Sequence, residues 1–134
     1  MNQNIALERL RAVLAGNPLL ALAVLFGSRA SGSPRPSSDF DVGILPRDGA
    51  FSLRQELELA ALLSGSVGHE VDVVRLDRDD PLLGREVARA GICLFEAQAG
   101  AFAAYRATAM SLWIDFEETI APHREKFLRR LAAR

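Results

Sequence analysis

Residues 19–45 read LLALAVLFGSRASGSPRPSSDFDVGIL and contain the strongest structural signals in the chain. The run Leu19–Phe26 is apolar, short and bounded by turn residues, which predicts a buried strand. It leads directly into Gly27-Ser28, and the Pro- and Ser-rich residues 33–38 predict irregular structure. From Asp39 to Leu45 polar and apolar residues alternate, which is typical of a strand with one face in the core. The stretch therefore predicts two strands on either side of a glycine turn and an irregular loop.

The chain on both sides of this stretch shows helical and strand patterns in turn. In order, they predict helix 3–15, helix Phe51–Leu63 with its stop in residues 64–68, strand Glu70–Leu76, a helix from the N-cap Asp80 and Pro81 to Gly91, and strand Ile92–Phe95. Neither internal repeats nor a long linker are present. Strands mixed with helices over 134 residues imply one α/β or α+β domain spanning residues 1–134.

From about residue 98 the sequence predicts one long C-terminal helix. Its apolar residues follow steps of three and four and form a single stripe: Phe102, Tyr105, Ala109, Leu112, Trp113, Phe116 and Ile120. Pro122 is expected to kink or restart the helix. The stripe is expected to be core, with a share of it available to dock a partner protein. The basic residues 123–134 are either a solvated face or a contact for an acidic or RNA-bearing partner.

Composition excludes several classes of protein. The chain has 16 Lys and Arg against 17 Asp and Glu, a net charge of -1, which argues against nucleic-acid binding by bulk electrostatics. Its single cysteine, Cys93, excludes a disulfide framework and a cysteine-based zinc site, and no Gly-Lys pair exists for a Walker P-loop. No apolar run is long enough to span a membrane, and no signal peptide is expected. With a free thiol, the expected compartment is the cytoplasm.

Gly27-Ser28 and two aspartates form the first candidate site. A glycine after a buried strand lets the backbone approach a ligand closely, and free amides at a following helix start suit a phosphate. Asp39 and Asp41 share one face of their strand, while Phe40 anchors the other face in the core. Adjacent carboxylates repel each other unless cations lie between them. Paired oxygen ligands facing a phosphate are those that Mg²⁺ prefers, so a magnesium site is predicted here.

A third aspartate, Asp72, interrupts an otherwise apolar strand. A buried carboxylate without a partner is costly, so Asp72 is expected to contact a metal ion or an arginine. Glu70 lies two residues earlier on the same face and is the alternative third carboxylate. If the strands of Asp39 and Asp72 are neighbours, three carboxylates meet in front of the glycine turn. That arrangement suits metal-assisted nucleotidyl transfer, with Asp72 as third metal ligand and candidate base.

Together these residues resemble the signature of the DNA polymerase beta superfamily of nucleotidyltransferases: Gly27-Ser28, ten residues, Asp39-x-Asp41, and Asp72 on a later strand. The longer pattern looks like the small single-domain MNT branch, with Gly27-Ser28-Arg29-Ala30-Ser31-Gly32 followed by Ser38-Asp39-Phe40-Asp41. The resemblance implies a mixed sheet of about four or five strands flanked by helices, and the use of Mg²⁺ and ATP. It also implies an antitoxin of a HEPN/MNT pair, which transfers AMP to a tyrosine of a HEPN ribonuclease toxin.

The resemblance assigns roles to two sets of residues: the triphosphate seat, Gly27, Ser28 and Arg29, and the catalytic, metal-binding carboxylates, Asp39, Asp41 and Asp72. One position departs from the pattern, because the family often has a second arginine where this chain has Ser31. Arg29 and Arg35 are the candidates to compensate for it.

A structural interpretation stands beside each functional one. The alternatives are a plain strand-to-helix turn at Gly27-Ser28, a solvated strand edge at Asp39 and Asp41, an arginine's partner at Asp72, and a surface charge at Arg29. Two other functions are also open. One is adenylylation of a small molecule such as an aminoglycoside, and the other is a non-catalytic antitoxin that blocks its toxin sterically.

Overall fold

The structure is a computed structural model that describes residues 2–31 and 39–133. The predicted irregular segment 33–38, which contains Arg35, lies outside the described residues, as do Gly32 and Ser38 of the motif. The strands are β1 (Leu20–Phe26), β2 (Phe40–Pro46), β3 (Val71–Arg75) and β4 (Ile92–Glu96). The α-helices are α1 (Gln3–Ala15), α2 (Leu53–Val67), α3 (Pro81–Ala90), α4 (Ala101–Ile120) and α5 (Arg124–Ala132). Short 3₁₀ helices occupy Gly27–Arg29 and Ala121–His123.

The described strands form one mixed sheet in the order β3-β2-β1-β4. β1 is antiparallel to both of its neighbours, and β2 is parallel to β3. β1 is apolar along its whole length because helices cover both faces of the sheet at this central strand. The expectation of a mixed sheet of four or five strands flanked by helices is confirmed, and the described residues supply four strands.

The two faces of the sheet have separate cores. α1 and α2 pack on the face that carries Phe40, Val42 and Ile44 of β2. α3 and the first part of α4 pack on the opposite face, where Leu22 and Val24 of β1 are fully buried. The predicted alternation of β2 is therefore confirmed. Its odd-numbered residues, which include Asp41, lie on the α3 side.

The ends of α2 and α3 follow local hydrogen bonding. The sequence predicts that α2 ends at Leu63, but the helix continues to Val67. It ends at Gly68, which has φ +68° and is the last residue of the predicted stop 64–68. Val67 is buried in the core, and Ser64 uses its hydroxyl to accept the Val71 amide at 3.0 Å, which ties the helix end to β3. The start predicted for α3 is confirmed, since Asp80 accepts a hydrogen bond as N-cap. None of the described helices is long and apolar enough to cross a membrane.

The stripe predicted along the C-terminal helix is core only in its first part. Of the described residues of α4, Ala109 alone is buried, and Leu112 of the stripe is 51% exposed, as is the neighbouring Ile114 at 53%. The helix breaks at Ala121–His123, around Pro122 as predicted, and α5 packs back on the end of α4. There the ring of Phe116 meets that of Phe127 at 5.7 Å between centroids. We call residues 112–132 the C-terminal arm.

Candidate active site

Three adjacent strands place the predicted carboxylates in one region. In the sheet, Phe26 at the end of β1 lies opposite Asp41, and Asp41 lies opposite Asp72 in the parallel pair β2–β3. Directly paired residues of neighbouring strands point to the same face. Asp39 immediately precedes β2, two residues before Asp41, and is exposed. The condition set for the three carboxylates to meet, that the strands of Asp39 and Asp72 are neighbours, is therefore met.

The glycine turn that begins at Gly27 contacts the carboxylate of Asp41 directly. Gly27 has φ +76°, and a Cβ at this position would overlap Oδ2 of Asp41. The chain then turns in the 3₁₀ helix, and the amides of Ala30 and Ser31 donate to the Gly27 carbonyl at 3.1 and 3.2 Å. A glycine is required here for two reasons, the left-handed backbone and the carboxylate packed against it.

Asp41 lies in a concentration of negative charge. Burial raises the pKa of the Asp41 carboxyl above its ordinary value, and the nearby charges of Asp72, Asp39 and Glu86 raise it further. All of these effects disfavour the ionised carboxylate unless a cation is present. Glu86, on α3, was not among the predicted site residues. Nothing in the sequence pattern identifies it, because its proximity depends on how α3 packs across the sheet.

The position of Asp72 differs from the expectation in one respect. It is exposed, since β3 lies at the edge of the sheet, so the expected cost of burying this carboxylate does not apply. The alternative of Asp72 as an arginine's partner is not supported: among residues 2–31 and 39–133, Arg75 pairs with Asp77 and Arg78 with Glu56. Glu70 precedes β3 and is not opposite Asp41, which favours Asp72 as the third carboxylate.

Within the described part of the chain, no three Asp, Glu, His or Cys side chains are gathered closely enough to hold a metal ion as they stand. Mg²⁺ does not need such a group, because proteins commonly bind it through one or two carboxylates, with waters and substrate phosphates completing the octahedron. The donor set of Asp39, Asp41 and Asp72 consists only of carboxylate oxygens, which fits this ion chemically. The metal-binding role of the three aspartates stays a prediction.

The side chain of Arg29 lies on the other face of the sheet. Its guanidinium carbon is 4.3 Å from the centre of the Phe40 ring, and Nη1 donates to Oε1 of Gln3 at 3.4 Å. Gln3 in turn donates to the Arg29 carbonyl at 2.7 Å, which joins α1 to the turn. With 9% exposure, Arg29 is not the surface charge that was one alternative. The predicted role of Arg29 in binding the triphosphate stays a prediction.

A cleft of about 520 Å³ opens between the glycine turn and α3. Gly27, Ser28 and Ser31 line one side, and Arg85, Glu86 and Arg89 line the other. The cleft therefore combines a strained turn, an acidic group close to Asp41 and two guanidinium groups. Its volume lies within the range of small-molecule binding sites in proteins.

A four-stranded mixed sheet with paired aspartates opposite a Gly-Ser turn defines a class of enzyme, and comparison with known proteins identifies the same class. Residues 8–99 match the family described as Polymerase beta, Nucleotidyltransferase, and the chain belongs to this family. A relative from Aphanizomenon flos-aquae (strain 2012/KM1/D3), the protein adenylyltransferase MntA, is 30% identical over 125 residues, which cover 84% of this chain and 83% of that protein.

Two solved structures have the same fold. One is a crystal structure of a toxin-antitoxin with AMP-PNP, which matches with a TM-score of 0.75 and 23% identity over 96% of this chain and 99% of that chain. The other is a tri-AMPylated Shewanella oneidensis HEPN toxin in complex with MNT antitoxin, with a TM-score of 0.76 and 20% identity over 95% of this chain and 99% of that chain. At these identities the likeness establishes the nucleotidyltransferase fold of this chain.

Proposed function

We propose that this protein transfers AMP from ATP to a hydroxyl of a HEPN-type toxin, that of a tyrosine, and so acts as an antitoxin. The observation that carries the proposal is the contact of Asp41 with the Gly27 turn, together with its pairing with Asp72 across the sheet. The relative named as a protein adenylyltransferase supports the reaction, and the complex of an AMPylated HEPN toxin with an antitoxin of the same fold supports the partner.

The turn is the proposed seat of the ATP triphosphate. The backbone amides of Gly27 and Ser28 lie at the start of the 3₁₀ helix, where the first amides of a helical turn have no carbonyl partner within it. Such amides bind phosphate oxygens well. In this proposal Arg29 supports the turn, and its side chain anchors it to α1 through Gln3.

Asp39, Asp41 and Asp72 are the proposed ligands of Mg²⁺, which when bound supplies charge neutralisation for the triphosphate and the leaving pyrophosphate. The acceptor hydroxyl oxygen forms a bond to the α-phosphorus, and the bond from that phosphorus to the pyrophosphate oxygen breaks. Asp72 accepts the hydroxyl proton. Because Asp72 is exposed at the sheet edge, a hydroxyl on a large protein can approach it from solvent.

The C-terminal arm is the proposed docking surface for the toxin. Leu112, Ile114 and Leu128 are each more than half exposed, and they extend beyond the part of α4 that covers the sheet. Leu112 and Ile114 are two residues apart, a rotation of about 200° around the helix, so the arm presents apolar groups on more than one side, and exposed apolar groups of this kind often mark a protein interface. A small transferase domain needs such a surface outside its active site to select a protein substrate.

The test is transfer of labelled AMP from ATP to a purified HEPN-type toxin in the presence of Mg²⁺, with the wild-type protein and with the double variant Asp39→Asn/Asp41→Asn. We expect label on the toxin with the wild type, and a loss of about 10²-fold or more with the variant. Equal labelling by both proteins would contradict the proposal.

The same experiment distinguishes the two alternative functions. A steric antitoxin predicts that the double variant still neutralises the toxin fully and that no label is ever transferred. A small-molecule enzyme predicts label on an aminoglycoside and none on the toxin.

A further inference from the structure

The proposed site has an excess of negative charge that the predicted phosphate contacts do not balance. The negative charges of Asp72, Asp39 and Glu86 all raise the pKa of Asp41 before any nucleotide binds. A triphosphate adds further negative charge to the same place. The side chain of Arg29 packs on Phe40 across the sheet, and the residues of the turn that line the cleft, Gly27, Ser28 and Ser31, carry no cationic side chain. The proposed Mg²⁺ would offset part of this charge, and cationic side chains from another element would hold phosphate oxygens that the metal ion does not reach.

α3 provides two such cations on the face that borders the cleft. Arg85 and Arg89 are four residues apart, so their side chains lie above one another on one side of the helix. Both line the cleft opposite Gly27 and Ser28. Among the described residues, neither guanidinium has a carboxylate within salt-bridge distance.

Arg85 is held in place by an aromatic ring. Its guanidinium carbon lies 4.8 Å from the centre of the Trp113 ring on α4. A stacked guanidinium keeps the N–H groups at its edge available for a second partner, and it loses less conformational freedom when that partner binds. Arg89 lies in the last turn of α3 and is exposed to solvent. The two residues together provide one ordered and one adaptable donor group.

We propose that Arg85 and Arg89 bind the β- and γ-phosphates of the nucleotide in this cleft. This inference rests on the proposed function, because it assigns the phosphate-binding side chains of that same site. It also predicts a preference of the site for nucleoside triphosphates over monophosphates.

The test measures the binding of AMP-PNP with Mg²⁺, and separately of AMP, to the full chain by isothermal titration. The proteins are wild type, Arg85→Gln, Arg89→Gln and the double variant. We expect each single substitution to weaken AMP-PNP binding about tenfold and the double variant about 10²-fold, with little change for AMP. Arg89→Lys keeps the charge at an exposed position and is expected to retain most of the affinity, whereas Arg85→Lys loses the stacked guanidinium and is expected to retain less of it.

Arg54→Gln is the matched control, since Arg54 is a surface arginine on α2 that pairs with Glu58 far from the cleft. AMP-PNP affinity equal to wild type in the double variant overturns the inference and leaves the proposed function intact. Equal weakening for AMP and AMP-PNP also overturns it, because a general disturbance of α3 would not depend on the number of phosphates. If the wild type does not bind AMP-PNP, both the inference and the proposed function are contradicted.

Discussion

Asp41 is the residue at which the glycine turn, the central strands and α3 meet. Its carboxylate packs against Gly27. In the register of β2 and β3 the residue lies opposite Asp72, and the charge of Glu86 on α3 raises its pKa. The raised pKa of Asp41 follows first from burial and then from these neighbours. The protein therefore maintains an unfavourable cluster of like charges, which is typical of a site that binds cations.

Replacement of Gly27 by alanine tests the contact between the turn and Asp41. The new Cβ would overlap Oδ2 of Asp41, and the positive φ adds backbone strain. We expect Gly27→Ala to lower the free energy of unfolding by about 1–3 kcal/mol and to abolish AMP transfer, because Asp41 must move. Urea denaturation and the labelled-ATP assay measure the two effects.

Gly68→Ala is the control for that experiment. Gly68 has a similar φ of +68°, but nothing lies within 4 Å of the position that its Cβ would take. This variant carries the backbone strain without the clash, so its AMP transfer should equal that of wild type. Full activity of Gly27→Ala would show that the close approach to Asp41 is unnecessary.

At the level of single residues, sequence reasoning identified the carboxylates but not all of their surroundings. The spacing of Asp39 and Asp41 predicts that both carboxylates share one face of their strand, because the alternation of side chains along a strand is a local property. The burial expected for Asp72 was wrong, since a Val-rich strand looks the same at the centre and at the edge of a sheet. The direction of the Arg29 side chain depends on Gln3 and Phe40, which are distant in sequence.

Among the structural elements, β3 owes its position to a buried arginine. Arg75 donates to both carboxylate oxygens of Asp77, at 2.9 and 2.6 Å, and to the backbone carbonyls of Phe51 and Gly49. These bonds connect the end of β3 to the loop that leads into α2. They add to the backbone pairing of β2 with β3, in which Asp72 lies opposite Asp41.

Asp77→Asn tests this connection and its pH dependence. The hydrogen bond from Arg75 lowers the pKa of Asp77, so the folded state favours the ionised carboxylate. The stabilisation is complete above the ordinary carboxyl pKa and is lost as the pH falls through the lowered value of the folded state. We expect the variant to be about 1 kcal/mol less stable near neutral pH, since Asp77 is partly exposed.

Urea denaturation near neutral pH and in acid measures the effect. The difference between wild type and Asp77→Asn should disappear in acid, where both side chains are uncharged. Asp79→Asn is the control, because Asp79 is exposed and forms no ion pair with another described residue. A difference that persists unchanged in acid would contradict the role assigned to the Arg75–Asp77 pair.

Element boundaries were predictable where a cap determines them. Asp80 and Pro81 define the start of α3 through local chemistry. The sequence pattern predicts the end of α2 too early because Ser64–Val67 resembles a turn. In the structure these residues stay helical, since Val67 is buried and Ser64 accepts a hydrogen bond from the Val71 amide. The role of α3 as a wall of the cleft required its packing on the sheet, so Arg85, Glu86 and Arg89 were not predicted.

Over the whole molecule, the C-terminal arm is the part that the sheet does not need for its own core. Beyond Trp113, α4 contacts the segment that follows it, through Phe116 with Phe127 and through the ion pair of Glu117 with Arg124. A periodic apolar stripe predicts an amphipathic helix, but it does not distinguish the cover of a core from an interface. Whether a given part of the helix covers the core or is free to form an interface depends on how far the helix extends beyond the edge of the sheet.

Substitution on the arm tests whether it binds the toxin. We expect Ile114→Asp/Leu128→Asp to fold and to bind AMP-PNP like wild type, and to transfer AMP to the toxin at least about tenfold more slowly. Leu62→Asp on α2 is the control, since Leu62 is 64% exposed and lies outside the arm. Wild-type transfer by the arm variant, in the assay with purified toxin, would exclude the arm as the docking surface.

The most direct test of the active site compares Asp72→Asn with Glu70→Gln in the labelled-ATP transfer assay. Both carboxylates are exposed and two residues apart, but only Asp72 lies opposite Asp41 in the register. Because Asp72→Asn removes the proposed metal ligand and base, we expect its transfer rate to fall by about 10²-fold or more, and the rate of Glu70→Gln to stay nearly unchanged. A wild-type rate for Asp72→Asn, or equal losses in both variants, would contradict the assignment of the site.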